Sequence, residues 1–120
     1  MKRYLIEFGM GADLHGCDCN TAAARALKDA MSHCCMAGVA DICAVTDPLR
    51  QMKLIVKVAV PYPEQIDLDA LYKASGLSPV NTEIEIAQGG MTSRGLHVDA
   101  YGEGDHIMIA NAVITVFVDV

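Results

Sequence analysis

Asp13 and His15 stand two positions apart in the segment Gly9-Met10-Gly11-Ala12-Asp13-Leu14-His15-Gly16. A carboxylate and an imidazole at this spacing can form a general acid–base pair, or supply two ligands of a divalent metal such as zinc. Asp is also a common turn residue that accepts backbone N–H bonds, so a local structural role is the alternative. Because glycine permits close approach to the backbone, Gly11 and Gly16 are predicted to contact substrate, and the functional interpretation is favoured.

A catalytic metal at this segment would need a third protein ligand beside Asp13 and His15. The spacing singles out none of the available candidates, which are Glu7, Asp18, His97, Asp99 and His106. The pair His97 and Asp99 fits equally well on the exposed side of a short strand. The sequence therefore leaves the cofactor unknown, with a divalent metal as one alternative.

Arg25 and the pair Ser93-Arg94 are the candidates for binding an anion. Arg25 lies near the start of a predicted helix, where its charge opposes the helix dipole, so an anionic ligand or Asp18 would stabilise it. A solvent-exposed helix charge is the alternative. Ser93 and Arg94 lie in the glycine-rich segment 88–106 and could hold an anionic substrate from a neighbouring subunit. No nucleotide-binding fingerprint accompanies them.

The five cysteines are expected to be free thiols. Neither Cys17-Asp18-Cys19 nor His33-Cys34-Cys35 has the spacing of a structural zinc knuckle. Cys34 continues an apolar helical stripe through Ala23, Leu27, Ala30 and Met31, which predicts that its side chain packs in the core. His33 is expected to interact with the dipole at the helix end.

Apolar periodicity and turn residues predict the elements that must position these groups. The strands are expected at 4–8, 53–60, 82–86 and 108–118, with a loop or loosely paired hairpin between 88 and 106. One helix is expected over 21–37, with Thr21 as its N-cap and Gly38 as its terminator. A second, shorter helix is expected between Asp67 and Gly76.

The order β-α-β-α-β-β predicts one α+β domain over residues 1–120. Such a chain resembles ferredoxin-like or chorismate-mutase-like proteins, with a mixed four-stranded sheet and both helices on one side. The other side of the sheet then needs a cover, and 52% apolar residues with a mean hydropathy of +0.29 are high for so short a chain. We therefore expect a homo-oligomer, a trimer or a multiple of one, with ligand clefts between subunits.

The net charge of −6 and the pI near 5.0 argue against a nucleic-acid partner, which needs clustered Lys and Arg. The longest apolar stretch, 107–118, is too short to cross a bilayer. The residues after Met1 carry no signal-peptide pattern. A cytoplasmic protein without a membrane partner is expected.

The segment from Tyr4 to Asp18 resembles a small uncharacterised family of bacterial proteins, also found as a domain in longer plant proteins. The resemblance rests on the G-x-G-x-D-x-H-G motif followed by an Ala-rich helix, and it spans most of the chain. This family brings no established activity, so the resemblance identifies relatives without assigning chemistry.

A more distant resemblance is to methylerythritol cyclodiphosphate synthase, a trimeric metal enzyme. Asp13-Leu14-His15 resembles its two metal ligands, and 26–30 resembles its first helix. Its third histidine position is Arg25 here, and its hairpin after the D-x-H is missing, so similar architecture is implied rather than the same reaction. The C-terminal strand, turn and strand of that family resemble Val80-Asn81, Thr92-Ser93-Arg94-Gly95 and Gly102-Glu103-Gly104.

Together these patterns predict an enzyme acting on a small polar or anionic metabolite by acid–base or metal-assisted lyase, cyclase or hydrolase chemistry. Asp13 and His15 would be the reactive pair, and Arg25, Ser93 and Arg94 would orient substrate. The alternative is a non-catalytic metabolite-binding or regulatory oligomer of the same fold.

Overall fold

A computed structural model describes residues 1–101 and 104–120 of the chain. Gly102 and Glu103, part of the distant resemblance above, lie outside the described residues. The strands are β1 (Lys2–Asp13), β2 (Met52–Val60), β3 (Thr82–Gln88), β4 (Met91–Arg94) and β5 (His106–Val118). The helices are α1 (Cys19–Met31), α2 (Ala37–Asp41), α3 (Pro48–Gln51) and α4 (Leu68–Ser75), with 3-10 turns at Pro63–Gln65 and Asp99–Tyr101.

The strands form one mixed sheet in the order β1-β5-β2-β3. β5 pairs antiparallel with β1 on one edge and with β2 on the other, so β1 and β2 run in the same direction. β2 and β3 are parallel, and the crossover between them carries α4. β4 pairs with residues 106–109 of β5, beyond the end of β2. The sheet therefore has five strands rather than the expected four.

The core lies between one face of the sheet and the two longer helices. Alternate residues of β5 face it because strand side chains have a period of two. α1 contributes a row of small side chains, and α4 contributes Leu71. This confirms the expected α+β class with both main helices on one side. The buried side chains of β5 and α1 are Met108, Ala110, Ala112, Ile114, Val116, Val118, Cys19, Ala22, Ala23, Ala26, Leu27 and Ala30.

Most of the predicted elements are present. The alternation in β2 buries Val56, Val58 and Val60, as expected. Asp67 caps α4 by accepting a hydrogen bond from the Ala70 amide at 3.2 Å, and Gly76 ends that helix in the left-handed conformation, with φ of 74°. The structure thus confirms the helix expected between Asp67 and Gly76.

The bounds of α1 differ from the prediction at both ends. Its N-cap is Asp18 rather than Thr21, because the Asp18 carboxylate accepts the Asn20 amide at 3.0 Å and the Thr21 hydroxyl at 2.9 Å. The helix ends at Met31, where the Ser32 hydroxyl donates to the carbonyl groups of Lys28 and Asp29.

Cys34 consequently lies beyond the helix and is exposed, so the prediction that it packs in the core was wrong. The predicted terminator Gly38 lies inside α2. No helix in the part of the chain that the structure describes is long and apolar enough to span a membrane.

Candidate functional site

Gly9 and Gly11 of the motif bring α1 against β1. Their register partners on β5 are Ala112 and Ala110, so this strip of the sheet carries almost no side-chain volume. A Cβ on Gly9 would lie 2.8 Å from the Ala26 carbonyl oxygen, and one on Gly11 would lie 2.6 Å from the Arg25 carbonyl carbon. These two glycines therefore serve helix–sheet packing, and Gly11 is covered by the helix backbone.

Asp13 fixes the loop 14–18 that joins β1 to α1. Its Oδ1 accepts the amides of Gly16 at 3.2 Å and His15 at 3.5 Å, and its Oδ2 accepts the Asp18 amide at 3.0 Å. Burial alone would raise the pKa of Asp13, but the three amides and the nearby Arg25 charge outweigh it, so the pKa is lowered. Asp13 is an ionised carboxylate that already accepts three bonds. Gly16 lies beside it, because a Cβ there would be 2.7 Å from Oδ2.

His15 lies in the same loop. Its backbone amide bonds to the Asp13 carboxylate, but its ring Nδ1 does not. That atom is buried and has no hydrogen-bond partner among the described residues 1–101 and 104–120. The imidazole packs on Tyr101, with ring centres 5.2 Å apart. Gly104 approaches the His15 backbone so closely that a Cβ would lie 2.8 Å from its carbonyl carbon. Asp13 and His15 are therefore close in the sequence but differ in their contacts. Asp13 accepts the loop amides, whereas the His15 ring packs on Tyr101.

A cleft of about 290 Å³ opens beside this loop. It is lined by Cys17, Tyr62, Thr92, His106 and Met108. The Cys17 thiol donates to the His106 carbonyl at 3.4 Å, so the loop and the start of β5 are in contact. Cys17 has φ of 50°, a left-handed conformation that costs a non-glycine residue about 1–2 kcal/mol. Backbone strain of this kind clusters at functional sites.

His106 has its own carboxylate. The Nδ1 of its ring lies 2.6 Å from Oδ1 of Asp105. At this distance the two side chains form an ion pair when the ring is protonated, and His106 is the histidine that lines the cleft. The sequence treated His106 only as a candidate metal ligand, and it did not single out Asp105.

The expected anion-binding residues are divided between two places. Arg94 ends β4, opposite His106, with its Nε 4.0 Å from the Asp105 carboxylate. Alternation puts Arg94 on the same side of β4 as Thr92, which lines the cleft, and Ser93 on the other side. Arg25 donates from Nη1 to the Ala12 carbonyl at 2.7 Å and lines a separate groove between α1 and α4.

The other metal-ligand candidates are engaged elsewhere. Glu7 accepts a bond from the Cys34 thiol, which raises the pKa of that thiol, and Asp18 caps α1. His97 binds Asp99 at 2.7 Å. Among residues 1–101 and 104–120, no three His, Cys, Asp or Glu side chains gather as a metal site would require.

Sequence reasoning missed Tyr62, Thr92 and Tyr101. The sequence did contain a signal for Tyr62. Tyr62 follows the end of β2, just as Asp13 stands at the end of β1, and strands that run in the same direction have their carboxyl ends at the same end of a sheet. Thr92 depends on the register of β4 with β5, and Tyr101 depends on a 3-10 turn. Neither has a local sequence signature.

The fold and the cleft define an α+β protein whose polar residues converge at one end of a mixed sheet. The chain belongs to the family described as conserved hypothetical protein (Lin0512_fam), whose model matches residues 3–116. The chain is similar to a solved crystal structure, that of an FtsZ-like protein of unknown function from Nostoc punctiforme PCC 73102, with 33% sequence identity. It matches with a TM-score of 0.82 over 99% of this chain and 97% of that one. Among curated proteins, no sequence matches significantly.

Proposed function

We propose that this protein acts on a small polar or anionic metabolite at the cleft beside the loop 14–18, with His15 as its acid–base group. The observation that carries the proposal is the buried Nδ1 of His15, which has no hydrogen-bond partner among the described residues. The large majority of buried side-chain polar atoms in proteins are hydrogen-bonded. A ligand that bonds to this atom would complete the site.

The remaining groups have distinct roles in this proposal. Asp13 is a positioning residue, since its carboxylate holds the amides that shape the loop. His106, which lines the cleft beside Asp105, is the second proton-transfer group, and two imidazoles suit a reaction with one proton taken and one given. Arg94 supplies the positive charge for an anionic substrate. A lyase, cyclase or hydrolase reaction in the cytoplasm fits this set.

A metal-assisted reaction is the weaker form of the proposal. Zinc at Asp13 and His15 would have to displace the three amides from the Asp13 carboxylate. It would also need a third ligand, and the described side chains gather no such group. The proposal therefore takes only a similar architecture from the distant resemblance to methylerythritol cyclodiphosphate synthase, and it does not include the metal chemistry of that enzyme.

A non-catalytic metabolite-binding or regulatory protein is the second candidate. The observation favouring it is that Asp13, half of the predicted reactive pair, is committed to backbone amides. In that case the cleft and the His15 ring would hold a ligand without changing it. The same experiment separates the two candidates, because one readout reports binding and another reports product.

The experiment is an NMR titration of the histidine ring resonances with phosphate, pyrophosphate, succinate and citrate as separate probes. We expect at least one probe to shift the His15 resonance, and to raise the unfolding midpoint by mass action. The His15→Gln variant should lose both effects. The His97→Gln variant is the matched control, because the exposed His97 ring bonds to Asp99 alone among the described residues, and this variant should retain both effects.

Binding that survives His15→Gln unchanged, or a His15 resonance that no probe moves, would contradict the proposal. The choice between enzyme and binding protein follows from incubating the chain with a panel of cyclic and anionic metabolites and detecting products in the same tube. Product formation that His15→Gln abolishes and His97→Gln preserves identifies an enzyme. Binding without product identifies the second candidate.

A further inference from the structure

The side of the sheet away from the helices carries an exposed apolar strip, formed by Ile6, Phe8 and Met10 of β1 with Val113 of β5. Register places Phe8 directly opposite Val113, and Ile6 and Met10 are the next residues on the same face. All four are exposed, and 76% of the Phe8 surface is accessible. A continuous strip of large exposed apolar side chains marks an interaction surface.

Charged residues border this apolar strip on the same face. Lys57 pairs in register with Val113, so the alternate residues of β2 and β3 continue the face. They form two ion pairs, Lys53–Glu83 at 3.2 Å and Lys57–Glu85 at 4.0 Å. The face thus has an apolar region beside a charge-balanced border, as protein–protein interfaces do.

The size and shape of the chain indicate how much surface remains to be covered. It exposes 7211 Å², which is about 900 Å² above the roughly 6,300 Å² that a 12.8 kDa monomer exposes. This excess matches the ~800 Å² that each partner buries in a standard interface. The radius of gyration of 16.0 Å also exceeds the ~13.6 Å of a compact chain of this length.

The free edge of β1 is less suited to binding another chain than the open face of the sheet is. The Met10 amide donates to the Asp29 carboxylate at 2.9 Å, and the Ala12 carbonyl accepts from Arg25 at 2.7 Å. These α1 side chains occupy backbone groups that another strand would need, which is one way proteins protect sheet edges. Contact through side chains of the face is therefore favoured over extension of the sheet.

We infer that a second copy of this chain covers the open face, with the apolar strips of the two copies packed together. A symmetric contact uses the same patch on both copies, so a strip of matching apolar side chains is its own complement. The charge-balanced border lets both copies approach without net repulsion at the rim. This inference stands apart from the proposed function, because the cleft lies at the end of the sheet rather than on its face.

Sedimentation equilibrium on the full chain tests the inference. We expect wild type to sediment as an assembly of two or more copies. Phe8→Glu should weaken self-association at least ~30-fold, because a central aromatic is lost and a charge is buried in its place. Val80→Glu is the matched control, since Val80 is 77% exposed in the turn before β3, and it should associate like wild type.

Hydroxyl-radical footprinting of wild type gives a test that needs no variant. Phe8 and Met10 should be protected at high protein concentration and oxidised on dilution, whereas Val80 should be oxidised at both. A dimer, or an even-numbered assembly of such dimers, supports the inference if the strip is protected, whereas a ring of three contradicts it because its contacts join two different patches. A monomeric wild type overturns it, and so does an assembly whose Phe8 and Met10 remain reactive.

Discussion

Asp13 and His15 belong to one motif, but their side chains make different kinds of contact. The Asp13 carboxylate collects three amides of the loop that follows it, so its charge organises the backbone. The His15 ring packs on Tyr101, and its buried Nδ1 has no hydrogen-bond partner within the described part of the chain. A structural aspartate thus maintains the geometry of the histidine to which the proposed function assigns chemistry.

Asp13→Asn tests the structural role through its pH dependence. Because the pKa of Asp13 is lowered in the folded state, its charge stabilises the protein above the unfolded value, and this contribution is lost as pH falls through the folded pKa. At pH 7 the variant should be less stable by about 1–3 kcal/mol, since hydrogen bonds to a charged acceptor are lost. The difference should begin to shrink below about pH 4, where the carboxyl of the unfolded chain becomes protonated, and should be lost only as pH falls through the lower pKa of folded Asp13.

Urea unfolding at pH 7 and pH 3 measures this difference. Asp99→Asn is the control, because the Asp99 side chain is exposed and, within residues 1–101 and 104–120, contacts the His97 ring alone. It should change stability little at pH 7. An Asp13→Asn variant as stable as wild type at pH 7 would mean that the three amides contribute nothing.

The contact between α1 and β1 accounts for the first two glycines of the motif. Gly9 and Gly11 face Ala112 and Ala110 across the sheet, and the helix backbone fills the space where side chains would stand. The sequence predicted a close approach to the backbone at Gly11, but it assigned that approach to a substrate. The approaching group is the protein's own helix, which the sequence pattern could not reveal.

Gly11→Ala should be much more damaging than Gly76→Ala. The new Cβ at Gly11 would overlap the backbone of Arg25 and Ala26, and a helix backbone cannot move aside without disrupting the core. We expect a loss of about 3 kcal/mol or more, judged by the upper range for overpacked cores. At Gly76 nothing lies within 4 Å, so only the left-handed conformation is penalised, by about 1–2 kcal/mol. Thermal and urea unfolding of the two variants give the comparison, and equal losses would contradict the packing role.

The sequence predicted best those elements whose signals are local. Alternation in β2 and the pair Asp67 and Gly76 around α4 needed only neighbouring residues, and the structure confirms them. The stripe that included Cys34 failed because Ser32 ends the helix with its own hydroxyl, which competes with the periodicity. The site also required the register of β4 with β5, which the loop or loosely paired hairpin expected between 88 and 106 left open.

At the scale of the whole molecule, the direction of the strands places the cleft. β1 and β2 are both antiparallel to β5, so the end of β1, the end of β2 and the start of β5 meet at one end of the sheet. This brings the loop 14–18, Tyr62 and His106 to the same cleft within a single chain. The expectation that a neighbouring subunit completes the site stays a prediction, and these three groups meet without one.

If copies of the chain pack through the open face of the sheet, the stability of the chain must depend on protein concentration. Unfolding of a dimer releases two chains, so each tenfold rise in concentration should raise the thermal midpoint by about 3 °C. Phe8→Glu should show a constant midpoint, and Val80→Glu should follow wild type because its exposed side chain lies away from the apolar strip. Differential scanning calorimetry over a hundredfold concentration range measures this slope. A wild-type midpoint that does not move would mean that folding is complete in the single chain and that the strip stays in contact with water.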